Sequence, residues 1–583
     1  MSEGVIWKTS RRPILDAAAK HRLDLTRRQR NSDVLTPQKI VTRNPIEQSV
    51  QDRAGSSTKF VAGRHASAVH ATSFFFNNPF RIALAVLAIY SIIRNLAAAY
   101  AAPLWFDEIL TWTVSSQGSW ARIIKALMEG VDGQPPLYYV IEHAAMKLIH
   151  GRELGLRLPS VFAFPCTLIC VFLFARRRGG DLAGFLSAAF LFFTSIFRWY
   201  APEARPYGLL VACIAVALLS YQRISNRSYA ITMAGTLGLA QALHHYAFFS
   251  VIPFVLAEAV YLFCGGKFRW WTWTAMACPL IPIALEWPII SNFKSIYAVN
   301  FWSHYGFRDL PATYGSFIFN SVTLGVGTAA LCVGVVIVFY FRKQNSDRTN
   351  TDADLRSEGA LLLFLLLLPF LTLLGTQALH GRMVARYVLA TVLALAILIG
   401  LVSSASKPLL VLVLATLGVF GAGCELIFWK GLDFNAIQRF SSADEAFVRQ
   451  APRSDLPVVM DDALLFLPLS LYGSHEYRTR LVYLIDLDKA VMYSGSNTAD
   501  KNLSVLRPYL PVVIADYSEF VEMHPEFLLV TREPKLSFDW LAKYLPSVAS
   551  IDLIRSIGNR KLYHIHMCDP IFRNRIASQS SCR

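Results

Sequence analysis

Trp105-Phe106-Asp107-Glu108 places two adjacent carboxylates just beyond the first long apolar segment of a 583-residue chain. Gln134-Pro135-Pro136-Leu137-Tyr138-Tyr139 follows in the same polar stretch. Ionised side chains are costly inside lipid, so an acidic pair at a membrane exit does not serve the hydrocarbon phase. It is either a solvated loop or helix cap, where acidic residues are common, or the edge of a site facing the compartment beyond. Four further clusters mix acids, histidines, arginines and aromatics. They are Tyr200-Ala201-Pro202-Glu203-Ala204-Arg205-Pro206-Tyr207, His244-His245-Tyr246, the segment around His304, and His380-Gly381-Arg382-Met383-Val384-Ala385-Arg386-Tyr387. Carboxylates accept protons and arginines offer forked donors to anions, so the residue types suit proton transfer beside an anionic group.

Hydrophobic residues make up 54% of the chain and charged residues 16%, with a mean hydropathy of +0.40. A soluble chain carries about a quarter charged residues. The apolar residues fall in blocks suited to crossing a hydrocarbon core, which takes about 20 residues as helix. The chain reads as a polytopic α-helical membrane protein. Its net charge of +16 does not call for nucleic acid, because the basic residues sit mostly in short segments between apolar blocks. That distribution orients a membrane protein. Seven of the nine cysteines lie in or beside apolar blocks as small hydrophobes. Cys568 and Cys582 lie in the hydrophilic tail and are able to pair in an oxidising compartment.

Residues 1–76 are polar, basic and without sustained apolar periodicity, which predicts a disordered cytoplasmic tail rather than a cleaved signal. The first span follows at about residues 80–101. Residues 136–150 are short for a span and carry Glu142, His143 and Lys147, so they are expected to lie in the interface as a juxtamembrane helix within a first outer loop, 102–157. Arg176-Arg177-Arg178 then falls in the cytoplasm after a span at 158–175, as the positive-inside bias prefers. Further spans near 182–197, 208–221, 230–243, 247–263, 271–289, 314–341, 359–379, 388–402 and 409–428 bring the count to about eleven. All the polar clusters then share the outer face with Asp107. The tail from residue 430 is exported.

Five motifs recur together in this order: the acidic pair Asp107-Glu108, Pro135-Pro136-Leu137-Tyr138-Tyr139, Arg157-Leu158-Pro159-Ser160, the Tyr200–Tyr207 turn with Glu203 and Arg205, and Arg386-Tyr387 opening a late span. In this combination the chain resembles the lipid-dependent glycosyltransferases of the GT-C fold, specifically bacterial relatives of the dolichyl-phosphate-mannose protein mannosyltransferases (glycosyltransferase family 39-like). The resemblance covers residues 77–429. It implies transfer of one sugar from a polyprenyl-phosphate donor to a lipid, polysaccharide or protein hydroxyl on the periplasmic face of a bacterial inner membrane.

By position in the family motif, Asp107 is the expected base for the acceptor hydroxyl. Glu108 would orient the acceptor or bind a metal, and Glu203 stands where several branches carry Asp. Arg205 and Arg386 are the expected holders of the donor phosphate, with Arg382 as a nearby substitute. His245, Tyr246, Tyr138 and Tyr387 are candidate substrate contacts, although Tyr138 and Tyr139 also suit interfacial anchors. Asp107, Glu108 and Glu203 are able to bind a divalent cation through oxygen, but no spacing compels it. Metal is left unassigned.

Residues 430–583 read as a separate periplasmic α/β domain. Strand-like runs at 456–460, 480–485, 511–515, 527–530 and 561–565 alternate with helical patterns at 442–450 and 538–544. Asp461 and Asp462 follow the first run, where a strand-end turn is the simpler reading. Two rival functions stay open. A transporter would gather its charges near the bilayer midplane and show repeated halves; a non-catalytic scaffold would retain the fold without the chemistry.

Overall fold

The computed structural model describes residues 78–568 apart from 150, 342–348, 452–454 and 534–538. The expected basic tail, Cys582 and the basic residues Arg342, Lys343 and Arg348 lie outside the described residues. Cys568 is disulfide-bonded.

Helix α1 (Pro79–Ala101) shows how the apolar helices are used. Leu84, Ala88, Ser91, Asn95 and Ala99 form one buried stripe at helical spacing. Ile82, Val86, Ile89 and Ile93 stand exposed on the opposite side. Large aliphatic side chains exposed along a whole helix face belong against lipid rather than water. Two short helices follow, α2 (Phe106–Ser115) and α3 (Trp120–Met128), and then α4 (Pro136–Leu148). Helix α4 starts at Pro136 because a proline at the first helical position loses no hydrogen bond.

Helix α5 runs Arg152–Phe193 with a break at Gly180, whose φ of 77° and ψ of −178° are open only to glycine. The chain reverses there: Gly184 lies against the carbonyl of Phe172, which a straight helix would hold roughly 18 Å away. The bundle continues through α6 (Tyr207–Tyr221), α7 (Arg227–Leu243), a 3-10 turn (His245–Val251), α8 (Ile252–Phe263), α9 (Leu280–Tyr297), α10 (Thr391–Ala405) and α11 (Lys407–Gly431). Helix α10 is wedged into the bundle and buried almost throughout. Helix α11 is the reverse, with Gly421 alone buried.

By length and composition, five helices among the described residues are able to cross a membrane, or seven if two bent pairs each count as one span. The expectation of about eleven rests on helices that prove shorter, including Tyr207–Tyr221 and Thr391–Ala405, and on α5 counted as two. Several ion pairs tie the helices of the bundle together. Glu425 of α11 accepts from Tyr90 (2.6 Å) and Arg94 (3.2 Å) of α1 and pairs with Arg198 at 2.8 Å. Roughly 30 Å along α5 from Arg157, Arg178 pairs with the buried Glu358 at 2.6 Å.

The C-terminal domain is built on one six-stranded sheet in the order β3-β2-β1-β4-β6-β5. Strands β1 (Val458–Met460), β2 (Leu481–Ile485), β3 (Val513–Asp516) and β4 (Glu526–Arg532) are parallel. Strands β1 and β2 are buried along their whole length, as strands covered on both faces must be. Strands β5 (Ala549–Ile557) and β6 (Arg560–Met567) add an antiparallel hairpin. The sequence reading found the other five strands and missed β5. That edge strand is half-exposed and interrupted by Ser550, Asp552, Arg555 and Ser556, so it has no sustained apolar run to signal it. Asp462 caps helix α12 (Ala463–Tyr472) by accepting from Leu464 N–H at 2.9 Å. The domain is joined to the bundle through Tyr472, whose hydroxyl accepts from Leu104 N–H and donates to Glu153, both at 2.9 Å.

Gly180→Ala is expected to cost about 1–3 kcal/mol through backbone strain alone, because no neighbour lies within contact distance of an added methyl. A lower midpoint of thermal unfolding in detergent, with the bundle otherwise intact, checks this.

Candidate active site

Arg157 fixes the frame. Its Nε donates to Glu108 Oε1 at 2.7 Å, and its Nη2 to Glu108 Oε2. The same guanidinium donates to the carbonyls of Ala99 (2.8 Å) and Pro103 (3.0 Å), and also to that of Ala102. It thereby caps the C-terminal end of α1 while holding the N-terminal turn of α2. Both Arg157 and Glu108 are buried. Glu108 Oε2 also accepts from Trp105 N–H (3.3 Å) at the start of α2, and Oε1 accepts from Ala204 N–H (2.8 Å). Ser160, one turn along α5, donates to the carbonyl of Arg205 at 3.1 Å. The motif Arg157-Leu158-Pro159-Ser160 therefore sets the turn that carries Glu203 and Arg205.

Asp107, beside Glu108, points the other way. Its Oδ2 lies 3.2 Å from Arg386 Nη2, and both side chains are partly exposed, at 15% and 17%. The Arg386 guanidinium stands 5.9 Å above the Tyr207 ring. Arg205, by contrast, is turned inward. Its Nη1 donates to Asp132 Oδ2 (2.6 Å), Thr111 Oγ1 (3.0 Å) and the carbonyl of Asp107 (3.2 Å). Asp132 was missed in the sequence, where an acidic residue between glycines reads as an ordinary turn.

Glu203 is buried, with Oε1 making no hydrogen bond. Burial, reinforced by Glu108, pushes its carboxyl up to about 8 against the opposing pull of Arg386. Glu142 on α4 is fully buried, and burial likewise drives its carboxyl well above the usual range. Tyr138 and Tyr139 are also fully buried, inside the protein rather than at an interface.

The histidine pair divides its labour in a way the sequence did not disclose. His245 Nδ1 lies 3.4 Å from Glu286. His244 enters the aromatic cluster instead, with its ring 5.5 Å from Tyr207 and 5.2 Å from Tyr387. Its Nδ1 accepts from Tyr246 N–H at 3.1 Å, so the neutral ring carries its proton on Nε2, which is buried and makes no hydrogen bond. Burial, with His245 and the nearby arginines, holds the imidazole well below its usual range. Tyr246 stacks on Tyr387 at 4.2 Å and donates its hydroxyl to the carbonyl of Arg382. The Arg382 side chain is exposed, as is His304.

Asp107, Glu108, Glu203, Arg205, Arg386 and the aromatic group thus converge, whereas Arg382, His245 and His304 stand at the margin. The carboxylates do not fit a metal centre. Both oxygens of Glu108 are taken by Arg157, Asp107 faces Arg386, and no group of three or more His, Cys, Asp or Glu suited to a metal occurs among the described residues.

No family model matches the chain. No curated protein matches it either. Among solved structures it is similar to ArnT from Cupriavidus metallidurans bound to undecaprenyl phosphate, at 14% identity and a TM-score of 0.47, covering 82% of this chain and 97% of that one. The apo state of the same ArnT is similar at 14% identity and a TM-score of 0.42, with the same coverage.

Two expectations follow from this geometry. Arg157→Lys keeps the charge but loses the fork, leaving helix-end carbonyls and Glu108 short of donors. It should destabilise the protein by about 1–3 kcal/mol, read as a drop in the thermal midpoint. Glu203 keeps its proton to about pH 8 when folded, against an ordinary value of 4.5. Between those values the folded state binds more protons than the unfolded, so stability falls as pH rises through that window. Glu203→Gln removes the fall: its thermal midpoint should gain on the wild type between acid and pH about 8. A constant difference across that range would show that Glu203 is not held neutral.

Proposed function

We propose that this chain is a multi-pass membrane glycosyltransferase of the GT-C type. It moves one sugar from a polyprenyl-phosphate donor to an acceptor hydroxyl at the membrane face that carries Asp107. The observation that carries the reading is the Asp107–Arg386 contact of 3.2 Å at the rim of an otherwise buried polar cluster. It sets a carboxylate and a guanidinium side by side where a lipid-borne phosphate arrives.

In this reading the donor phosphate takes Arg386, whose planar fork matches phosphate oxygens. Asp107, released from that contact, accepts the proton of the acceptor hydroxyl. The acceptor oxygen bonds to the anomeric carbon as its bond to the phosphate oxygen breaks. The electron pair leaves with the polyprenyl phosphate, whose charge Arg386 stabilises. Neutral His244 offers its Nε2–H, and Glu203, held protonated by burial, adds no negative charge to repel the phosphate. Arg205 is committed to Asp132 and so acts on α2, the helix that carries Asp107, rather than on the phosphate.

Support for the membrane setting comes from the lipid-facing stripes of α1 and α11. The face is read as periplasmic on the placement of Arg176, Arg177 and Arg178 just before the reversal of α5 at Gly180. The acceptor class is a lipid, polysaccharide or protein hydroxyl.

The test is sugar transfer by the purified protein in lipid nanodiscs from a panel of polyprenyl-phosphate sugars. Asp107→Asn should lower kcat by about 10²–10⁴-fold, and Arg386→Lys should raise the donor KM while lowering kcat. Full activity in Asp107→Asn would sink the base assignment, and no transfer from any donor by the wild type would sink the reading itself.

A further inference from the structure

The C-terminal domain reaches the loop beside the buried Arg205–Asp132 pair through Asn502. Asn502 lies on helix α13 (Thr498–Leu506) and is 8% exposed. Its Nδ2 donates to the carbonyl of Val131 at 3.0 Å and lies 3.4 Å from the Tyr297 hydroxyl. Tyr297 in turn donates to the carbonyl of Gly130 at 2.8 Å. Asp132, which follows Val131, pairs with Arg205, and Arg205 holds the main chain at Asp107. A continuous run of hydrogen bonds therefore leads from the exported domain to the backbone of the proposed base.

The loop has little freedom to find this position without help from α13. Gly130 holds φ at +88°, and a Cβ there would stand 2.9 Å from Ile296. At Gly133 a Cβ would meet the ring of Phe293 at 2.5 Å. Helix α9 thus presses the loop from one side while α13 holds it from the other. Helix α13 is itself well anchored. Lys501 donates to the carbonyl of Ile296 at 2.8 Å, and the fully buried Asp500 accepts from Trp540 Nε1 at 3.0 Å in the domain core. Tyr509, just past α13, donates to Glu129 at the start of the loop.

We infer that Asn502 is a positioning residue for the transferase site: it fixes loop 129–133 so that Asp132 meets Arg205 and Asp107 keeps its place. The domain is then a working part of the site rather than a cover over it. The activity part of the test rests on the proposed sugar transfer, whereas the exchange part does not.

The test uses the full chain in nanodiscs, comparing Asn502→Ala with the isosteric Asn502→Asp, which keeps the volume but loses the donor. Hydrogen exchange of residues 129–133 should quicken by about tenfold or more in both variants, the weight of one buried hydrogen bond. Exchange in strands β1 and β4 should not change. With a polyprenyl-phosphate sugar that the wild type uses, kcat should fall about tenfold while the donor KM moves less than about twofold. In an Asp132→Asn background, adding Asn502→Ala should cost less than about twofold more, because both act through one contact. Unchanged exchange in the loop overturns the inference, and so do kcat losses that simply multiply in the double variant. Should the alanine variant fail to fold, the aspartate variant carries the same comparisons. If the wild type transfers no sugar, the functional reading fails and the exchange result still decides the coupling.

Discussion

The Arg157–Glu108 pair is the contact on which the rest of the site depends. A buried guanidinium leaves water at high cost unless its donors are met, and here α1, α2 and the segment between them meet them. Satisfying Arg157 therefore dictates where α1 stops, where α2 starts and how the Glu203–Arg205 turn lies against α5. Asp107 is partly exposed and faces Arg386 instead, yet its position follows from its neighbour. A paired carboxylate supplies the register, and the adjacent one is left able to react.

The charge balance of the cluster has the same logic. Five carboxyl groups, Asp107, Glu108, Asp132, Glu142 and Glu203, gather with three guanidinium groups, Arg157, Arg205 and Arg386. Ionised together, the acids would leave an excess of negative charge in a poorly solvated place, exactly the situation in which carboxyls take up protons instead. Glu142 and Glu203 are the two whose burial pushes them toward the neutral form. With those two protonated the cluster is electrically balanced. In the proposed reaction an arriving phosphate would disturb one partly exposed pair, Asp107–Arg386, and leave the buried pairs intact.

Much of this could be read from residue types. Long apolar blocks disclosed the membrane class, tandem prolines marked the start of α4, and short aliphatic runs disclosed five of six strands. The site was legible where a motif encodes a local device, as Arg157-Leu158-Pro159-Ser160 does. It was illegible where tertiary context chooses between equals. His244 and His245 are the same residue type one position apart, and only the 3-10 turn decides which enters the aromatic cluster. Arg205 and Arg386 likewise read alike. Asp132, visible only as a turn residue, commits the former and leaves the latter near the rim. Hydropathy alone does not separate a short apolar helix such as α10 from a full span.

The contact between Arg94 and Glu425 bears on how the chain is made. The two residues are 331 positions apart, and synthesis at about 5–20 residues per second separates their appearance by roughly 15–65 seconds. Throughout that interval α1 carries an arginine whose acidic partner does not yet exist, at about 2.5–3.5 kcal/mol if it faces lipid. The first helix must therefore wait beside the insertion machinery, or with its arginine snorkelled to an interface, until the last helix arrives. Membrane insertion and bundle closure are in this way separate events, and the ion pair marks the moment of the second.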